Sequence, residues 1–200
     1  DHQTGFGILS TIIPTNLAPL KIGDSDKVKE DDLLFVMPYP THGKGSAGKA
    51  VSRRPFTGTW EYHVNKPIYV YPMNQAWAGT PLLNDRGQIL GIGSLYIADT
   101  VSPGIMSPGN MFVPVNILKP VLKDLISKGR RTQNINPYMG LSADDVTGKL
   151  NVTRVRGPAE KSGIQVGDLI ISVNGTNVKS MEEFYKTDRK STRLNSSHRC

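Results

Sequence analysis

Cysteine is nearly absent: the 200-residue chain holds one, Cys200, at its last position. A disulfide framework or a cluster of thiolate metal ligands is thereby excluded. Long apolar runs are missing too. No stretch of 18 or more apolar residues occurs, so no segment reads as a transmembrane helix. No secretory leader pattern is present; the chain opens at Asp1 without a methionine and is expected to start inside a domain. Histidine is scarce, and His2, His42 and His63 lack ligand spacing, so each is expected as a loop or surface residue. Gly91-Ile92-Gly93 reads as strand without the continuation of a phosphate loop. Metal and nucleotide cofactors are therefore not indicated.

What is present is an ordinary globular composition, 38% hydrophobic with mean hydropathy −0.30. The formal charge of +7 suggests an anionic partner at first sight. Residues Asp188 to His198, however, read Asp-Arg-Lys-Ser-Thr-Arg-Leu-Asn-Ser-Ser-His, a string that resembles the translation of a common sequencing adapter. The tail from Asp188 is set aside as read-through. It carries four basic residues and one acid, which leaves the rest at about +4. A mildly basic globular protein needs no nucleic acid to explain it.

Short strands broken by Gly, Pro and Asn fill the first half: Gly7–Ile13, Asp32–Met37, Ile68–Tyr71, Gln88–Leu95 and Asn110–Pro114 are expected, with turns at Pro40–Gly48 and Asn84–Gly87. Many strands without intervening helices indicate a barrel or sandwich. A helix follows, with Asn116 as N-cap, Pro120 in its first turn, a stripe of Ile117, Val121, Leu122, Leu125 and Ile126, and Gly129 as its stop. Residues 130–136 are polar and unpatterned, and read as a linker. A second unit begins at Pro137. It holds a strand at Asn151–Val155, a short helix from Pro158 stopped by Gly163, and a buried strand at Asp168–Val173. That strand ends in the hairpin pair Asn174-Gly175, and a helix with a capping-box pattern opens at Ser180-Met181-Glu182-Glu183.

The series Pro137-Tyr138-Met139-Gly140-Leu141, Val155-Arg156-Gly157-Pro158-Ala159, Gly163-Ile164, Gly167-Asp168-Leu169-Ile170 and Val173-Asn174-Gly175 resembles a PDZ domain, and more narrowly the one that follows the protease in HtrA/Deg proteins. The resemblance implies that Met139, Gly140 and Leu141 form a loop whose N–H groups converge on a peptide carboxylate, with Tyr138 beside it. The peptide would add as a strand next to the residues after Leu141. The helix from Ser180 would form the other groove wall. Phe184 either faces that groove or fills the core, and Tyr138, Met139 and Leu141 also have a plain reading as core residues of a small β domain. The module is expected to span 137–187 and to be cut off within its groove helix.

Upstream, Ala76-Trp77-Ala78-Gly79-Thr80-Pro81-Leu82-Leu83-Asn84 stands where HtrA-like proteases carry their nucleophile elbow, Gly-Asn-Ser-Gly-Gly-Pro-Leu. Ile22-Gly23-Asp24-Ser25-Asp26 and Phe112-Val113-Pro114 resemble further segments of that family. Residues 1–129 are thus identified as part of a trypsin-like antiparallel double β-barrel, mainly its second barrel. The chemistry needs a hydroxyl nucleophile, a histidine base and a carboxylate. Ala78 occupies the nucleophile position, and Gly5 the position of the family aspartate. Asp1 matches a non-catalytic position, and the family histidine would precede it. The backbone N–H groups of Ala76 and Ala78 would be the remnant of an oxyanion hole. Losing the nucleophile alone costs about 10⁶-fold in turnover, and losing the acid's function about 10⁴-fold.

The resemblance implies a proteolytically inactive homologue that binds peptide C-termini or unfolded protein segments. It also implies a periplasmic or envelope location and a homo-trimer. The competing expectation is an active serine endopeptidase of protein quality control with a divergent nucleophile.

Overall fold

The computed structural model describes residues 1–58, 63–136, 138–145 and 148–196. Pro137, where the second module was expected to begin, and His198, Arg199 and Cys200 of the tail lie outside the described residues. The chain divides into two compact units, one of residues 4–56 and 64–129, the other of residues 1–3, 57–63 and 130–200.

The first unit is a closed six-stranded barrel. Its strands are β1 (Leu33–Val36), β2 (Ser46–Ser52), β5 (Ile68–Tyr71), β6 (Pro81–Leu83), β7 (Ile89–Ile97) and β8 (Gly109–Pro114), in the order β1-β2-β5-β8-β7-β6. Two short strands, β3 (Phe56–Thr57) and β4 (His63–Val64), pair with each other outside it. Every barrel pairing is antiparallel, and closure leaves no sheet edge unpaired. Val28, Leu34, Val36, Ala50, Ile68, Val70, Leu82, Leu90 and Phe112 form the interior.

Arg53, just after β2, ties three segments together. Its guanidinium donates to the carbonyls of Ser25 (3.0 Å), Val28 (2.8 Å), Lys66 (2.8 Å) and Pro67 (3.0 Å). Burial pushes its pKa down. Helix α1 (Lys119–Lys128) leaves the barrel after a 3₁₀ turn and ends at Gly129, whose φ of 69° closes it onto the Leu125 carbonyl.

The second unit is α+β. A three-stranded antiparallel sheet has the order β11-β10-β9, from β9 (Leu141–Asp144), β10 (Leu150–Val155) and β11 (Leu169–Ile170). A hairpin of β12 (Ser172–Val173) and β13 (Thr176–Asn177), the short helix α2 (Pro158–Lys161) and helix α3 (Met181–Ser196) complete it. Asn174 and Gly175 both have positive φ, 48° and 77°, as a type I′ turn requires. Half of the capping box forms: Glu183 N–H donates to Ser180 Oγ, while the Glu183 carboxylate accepts from the N–H of Lys179, one residue before the cap. Leu141, Ala143, Leu150, Ala159, Val178, Met181, Phe184 and Tyr185 make the core.

Several expectations need correction. Gly7–Ile13 is not a strand, and Leu9 and Ile12 are 98% and 100% exposed, because no described strand lies beside this segment. Gly48 belongs to β2 and not to the preceding turn. Asn116 is not the helix cap: its side chain accepts from Ser25 N–H and donates to Asp24, while Leu118 takes the N-cap position. Ile126 is exposed. The expected buried strand at Asp168–Val173 is two short strands broken at Ile171. Leu169 (49%) and Ile171 (72%) are exposed, because Ile170 between them takes the core-facing position. His63 is buried, its Nδ1 2.8 Å from Thr57 Oγ1.

Candidate functional site

The loop from β5 to β6 carries the elbow. Gly79 adopts φ 69°, and Ala78 beside it is exposed. The loop is clamped to β7 by Gly79 N–H to Gly93 O (2.9 Å) and Gly93 N–H to Thr80 O (2.9 Å), and it turns on Thr80 N–H to Trp77 O (3.1 Å). Gly93 is required here, since a Cβ on it would stand 1.8 Å from the Trp77 carbonyl oxygen. Thr80 is buried and its hydroxyl donates to the Ala76 carbonyl, so it is spent on the turn. The Ala76 N–H, one of the two groups assigned to an oxyanion hole, donates to Asn74 Oδ1 at 2.9 Å.

Asn74 and Asn110, which the sequence does not single out, brace the segment leading into the elbow. Asn74 is buried, and its side chain also donates to Lys44 O (3.1 Å) and Ser46 Oγ (2.7 Å). Asn110 Oδ1 receives Asn74 N–H at 2.7 Å, and Asn110 Nδ2 is buried without a hydrogen-bond partner among the described residues. A lone amide at the head of the apolar run Met111-Phe112-Val113 was the available signal.

Gly5 has φ 75° in a turn between buried Thr4 and Phe6, and so offers no carboxylate. Asp1 is committed elsewhere. In the second unit its carboxylate receives both arms of Arg131, Nε at 3.1 Å and Nη2 at 2.9 Å, with the Asp1 side chain almost wholly buried. Burial lowers the Arg131 pKa.

In the second unit the Tyr-Met-Gly-Leu loop leads straight into β9. Gly140 has φ 77°, and a Cβ there would meet Arg156 O at 2.0 Å, so only glycine fits. The loop is held by Arg156 N–H to Gly140 O (2.6 Å) and Ala159 N–H to Met139 O (2.9 Å). Tyr138 is exposed, while Met139 packs on the core.

β9 is an outer strand, and no described strand pairs with its far edge. Gly140 O and Ser142 O both face β10, the latter accepting from Thr153 Oγ1 at 3.2 Å. By alternation, Leu141 and Ala143 aim their N–H and C=O groups at the unpaired edge. The side chains of both residues are buried in the core. Asp145 accepts from Met181 N–H at 3.2 Å, which ties the end of β9 to the start of α3. Phe184 lies in the core, 3% exposed, edge-on to Tyr185 at 5.6 Å.

Among the described residues, no helix is long and apolar enough to cross a membrane. A PDZ-domain family model matches residues 152–186. Of the curated proteins, one of Bartonella henselae named "Probable periplasmic serine endoprotease DegP-like" is 27% identical, over 93% of this chain and 39% of the relative. The Pseudomonas putida F1 protein of the same name is 30% identical, over 88% and 38%. "Serine endoprotease DegS" of Haemophilus influenzae is 31% identical, over 66% and 36%. The chain therefore spans about two fifths of the length of the curated relatives it matches. Among solved structures, "HtrA-type protease AlgW with decapeptide" matches at TM-score 0.54 and 20% identity, over 91% of this chain and 57% of that one. The serine endoprotease from Yersinia pestis matches at 0.51 and 23%, over 88% and 58%. At these identities the structural matches establish the fold.

Proposed function

Because this chain is an HtrA/DegP-like serine protease homologue with a PDZ domain, we propose that it is proteolytically inactive and binds C-terminal or unfolded peptide segments through its second unit. The observation that carries this reading is Ala78: the elbow lacks a nucleophilic atom. Three features around it support the reading. Gly5 supplies no acid, the Ala76 N–H is turned onto Asn74, and the hydroxyl of Thr80 is bound to the loop's own backbone.

Peptide recognition rests on the glycine-dependent loop at Gly140 and on the edge of β9. A peptide carboxylate meets the loop of Met139, Gly140 and Leu141, and the peptide backbone extends the sheet. The AlgW structures that match this chain carry a decapeptide or a tripeptide. By resemblance, and because relatives are named periplasmic, the protein works in the periplasm or envelope, as a homo-trimer.

The test is to incubate the full-length gene product with casein and a fluorophosphonate probe. No cleavage and no specific labelling are expected. Labelling that disappears when one serine is replaced would establish the endopeptidase reading instead, with Ser94 on β7 the first serine to replace.

A further inference from the structure

The face of the second unit's sheet turned away from its core is charged, and the charges are ordered along β9. Leu141 and Ala143 point inward, so Ser142 and Asp144 point outward. On β10, Arg154 is the register partner of Ser142 and Val155 that of Leu141. Val155 packs on the core, which puts Arg154 on the outer face, and Arg156 follows it by the same alternation. Arg154 and Arg156 are exposed, and neither they nor Asp144 form an ion pair among the described residues. The other acids of this unit are largely engaged: Asp145 at Met181 N–H, Asp168 at Gln165 N–H, Glu182 at Lys186 and Glu183 at Lys179 N–H.

A peptide that adds to β9 antiparallel, with its carboxylate at Gly140, has a defined phase. Its last residue lies opposite Leu141, its penultimate residue opposite Ser142, and the fourth from its end opposite Asp144. The last residue shares the inward face with Leu141, so the penultimate and fourth-from-last side chains share the outer face with Arg154, Arg156 and Asp144. β10 lies about 10 Å from the added strand. Ser142, in the row between, is small enough for the long Arg154 side chain to reach over it.

We propose that Arg154 and Arg156 select an acidic residue at the penultimate position of the bound peptide, and Asp144 a basic residue two positions earlier. This rests on the peptide-clamp reading above. Cross-strand charge pairs of this kind are worth roughly two- to five-fold in affinity, and salt screens them.

The experiment is fluorescence anisotropy on the full-length gene product, with labelled heptapeptides that differ only at the penultimate residue (Asp, Ala or Lys). Each is made with a free and with an amidated C-terminus. The Asp peptide is expected to bind about two- to five-fold more tightly than the Ala peptide, and the Lys peptide more weakly. Arg154→Ala should weaken the ranking, and Arg154→Ala with Arg156→Ala should erase it. Arg154→Glu should invert it, and Arg154→Lys should keep it. If free-acid peptides bind better than amidated ones but Asp, Ala and Lys are equivalent, the selectivity proposal fails and the clamp stands. If no free-acid peptide outbinds its amide, the clamp itself fails and the proposal with it.

Discussion

On the reading proposed for this chain, Ala78 at the elbow is one of several losses. Restoring the oxygen alone would leave it without an acid at Gly5 and with the Ala76 N–H bound to Asn74. Ala78→Ser is therefore expected to show no casein hydrolysis above background; measurable turnover would mean that the loop reorganises around the serine. At Gly140 the constraint is steric. Gly140→Ala forces a side chain into φ 77° with its Cβ 2.0 Å from Arg156 O. The variant should lose about 1–3 kcal/mol of stability, read as a lower melting temperature of the second unit, and should no longer prefer a free carboxylate. An unchanged melting curve would show that the loop can re-form around alanine.

Elements differ in how plainly the sequence announces them. Ile68–Tyr71 was legible to the residue because a dense β-branched and aromatic run stands between a proline and a proline. Asn174-Gly175 was legible because few other pairs tolerate two positive φ values in succession. β2 was not read as a strand, and its start was read as turn, because Ser46-Ala47-Gly48 has no strand propensity; its pairing with β1 and β5 decides its state. Gly7–Ile13 erred the other way, with strand composition but no neighbour among the described residues. The site divides similarly. Ala78 and Gly140 are read from single letters, whereas the Asn74–Asn110 pair depends on a loop and a strand 36 residues apart in sequence coming together.

The junction of η1 (Ser25–Lys27) with the turn before α1 was equally hidden, since Asn116 joins Ser25 and Asp24 across the barrel. Hydrogen bonds, first from Asn116 and then from Asp26 N–H, hold the Asp24 pKa below its usual value. A carboxylate with a depressed folded-state pKa contributes stability above its unfolded pKa, and loses it as the pH falls through the folded value. Asn116→Ala should destabilise by about 1–3 kcal/mol through the unpaired Ser25 N–H. It should also flatten the loss of stability below pH 4 in acid titrations followed by circular dichroism. An undiminished acid slope would remove Asn116 as the cause.

At the scale of the whole chain, residues 7–22 are the most exposed apolar stretch. Thermolysin is expected to cut first between Leu9 and Leu20, ahead of any barrel strand, as mass spectrometry of the early fragments would record. First cuts within β7 or β8 would contradict this. The family match ends at 186 although helix α3 continues to Ser196. We read residues 188–200 as adapter-derived, so genomic sequence across Thr187 is expected to diverge from this tail. Arg53 has a consequence for kinetics. Its four acceptors come from residues 25–28 and 66–67, the segments that lead into β1 and β5 on either side of β2. We predict that bonds joining three separate segments form after the folding transition state, so that they restrain escape from the native state without hastening arrival. Arg53→Lys, which keeps the charge but not the fork, should steepen the barrel's decay in stopped-flow unfolding and leave its refolding rate unchanged. The guanidinium would then act as a latch on the closed barrel, setting how long the fold lasts.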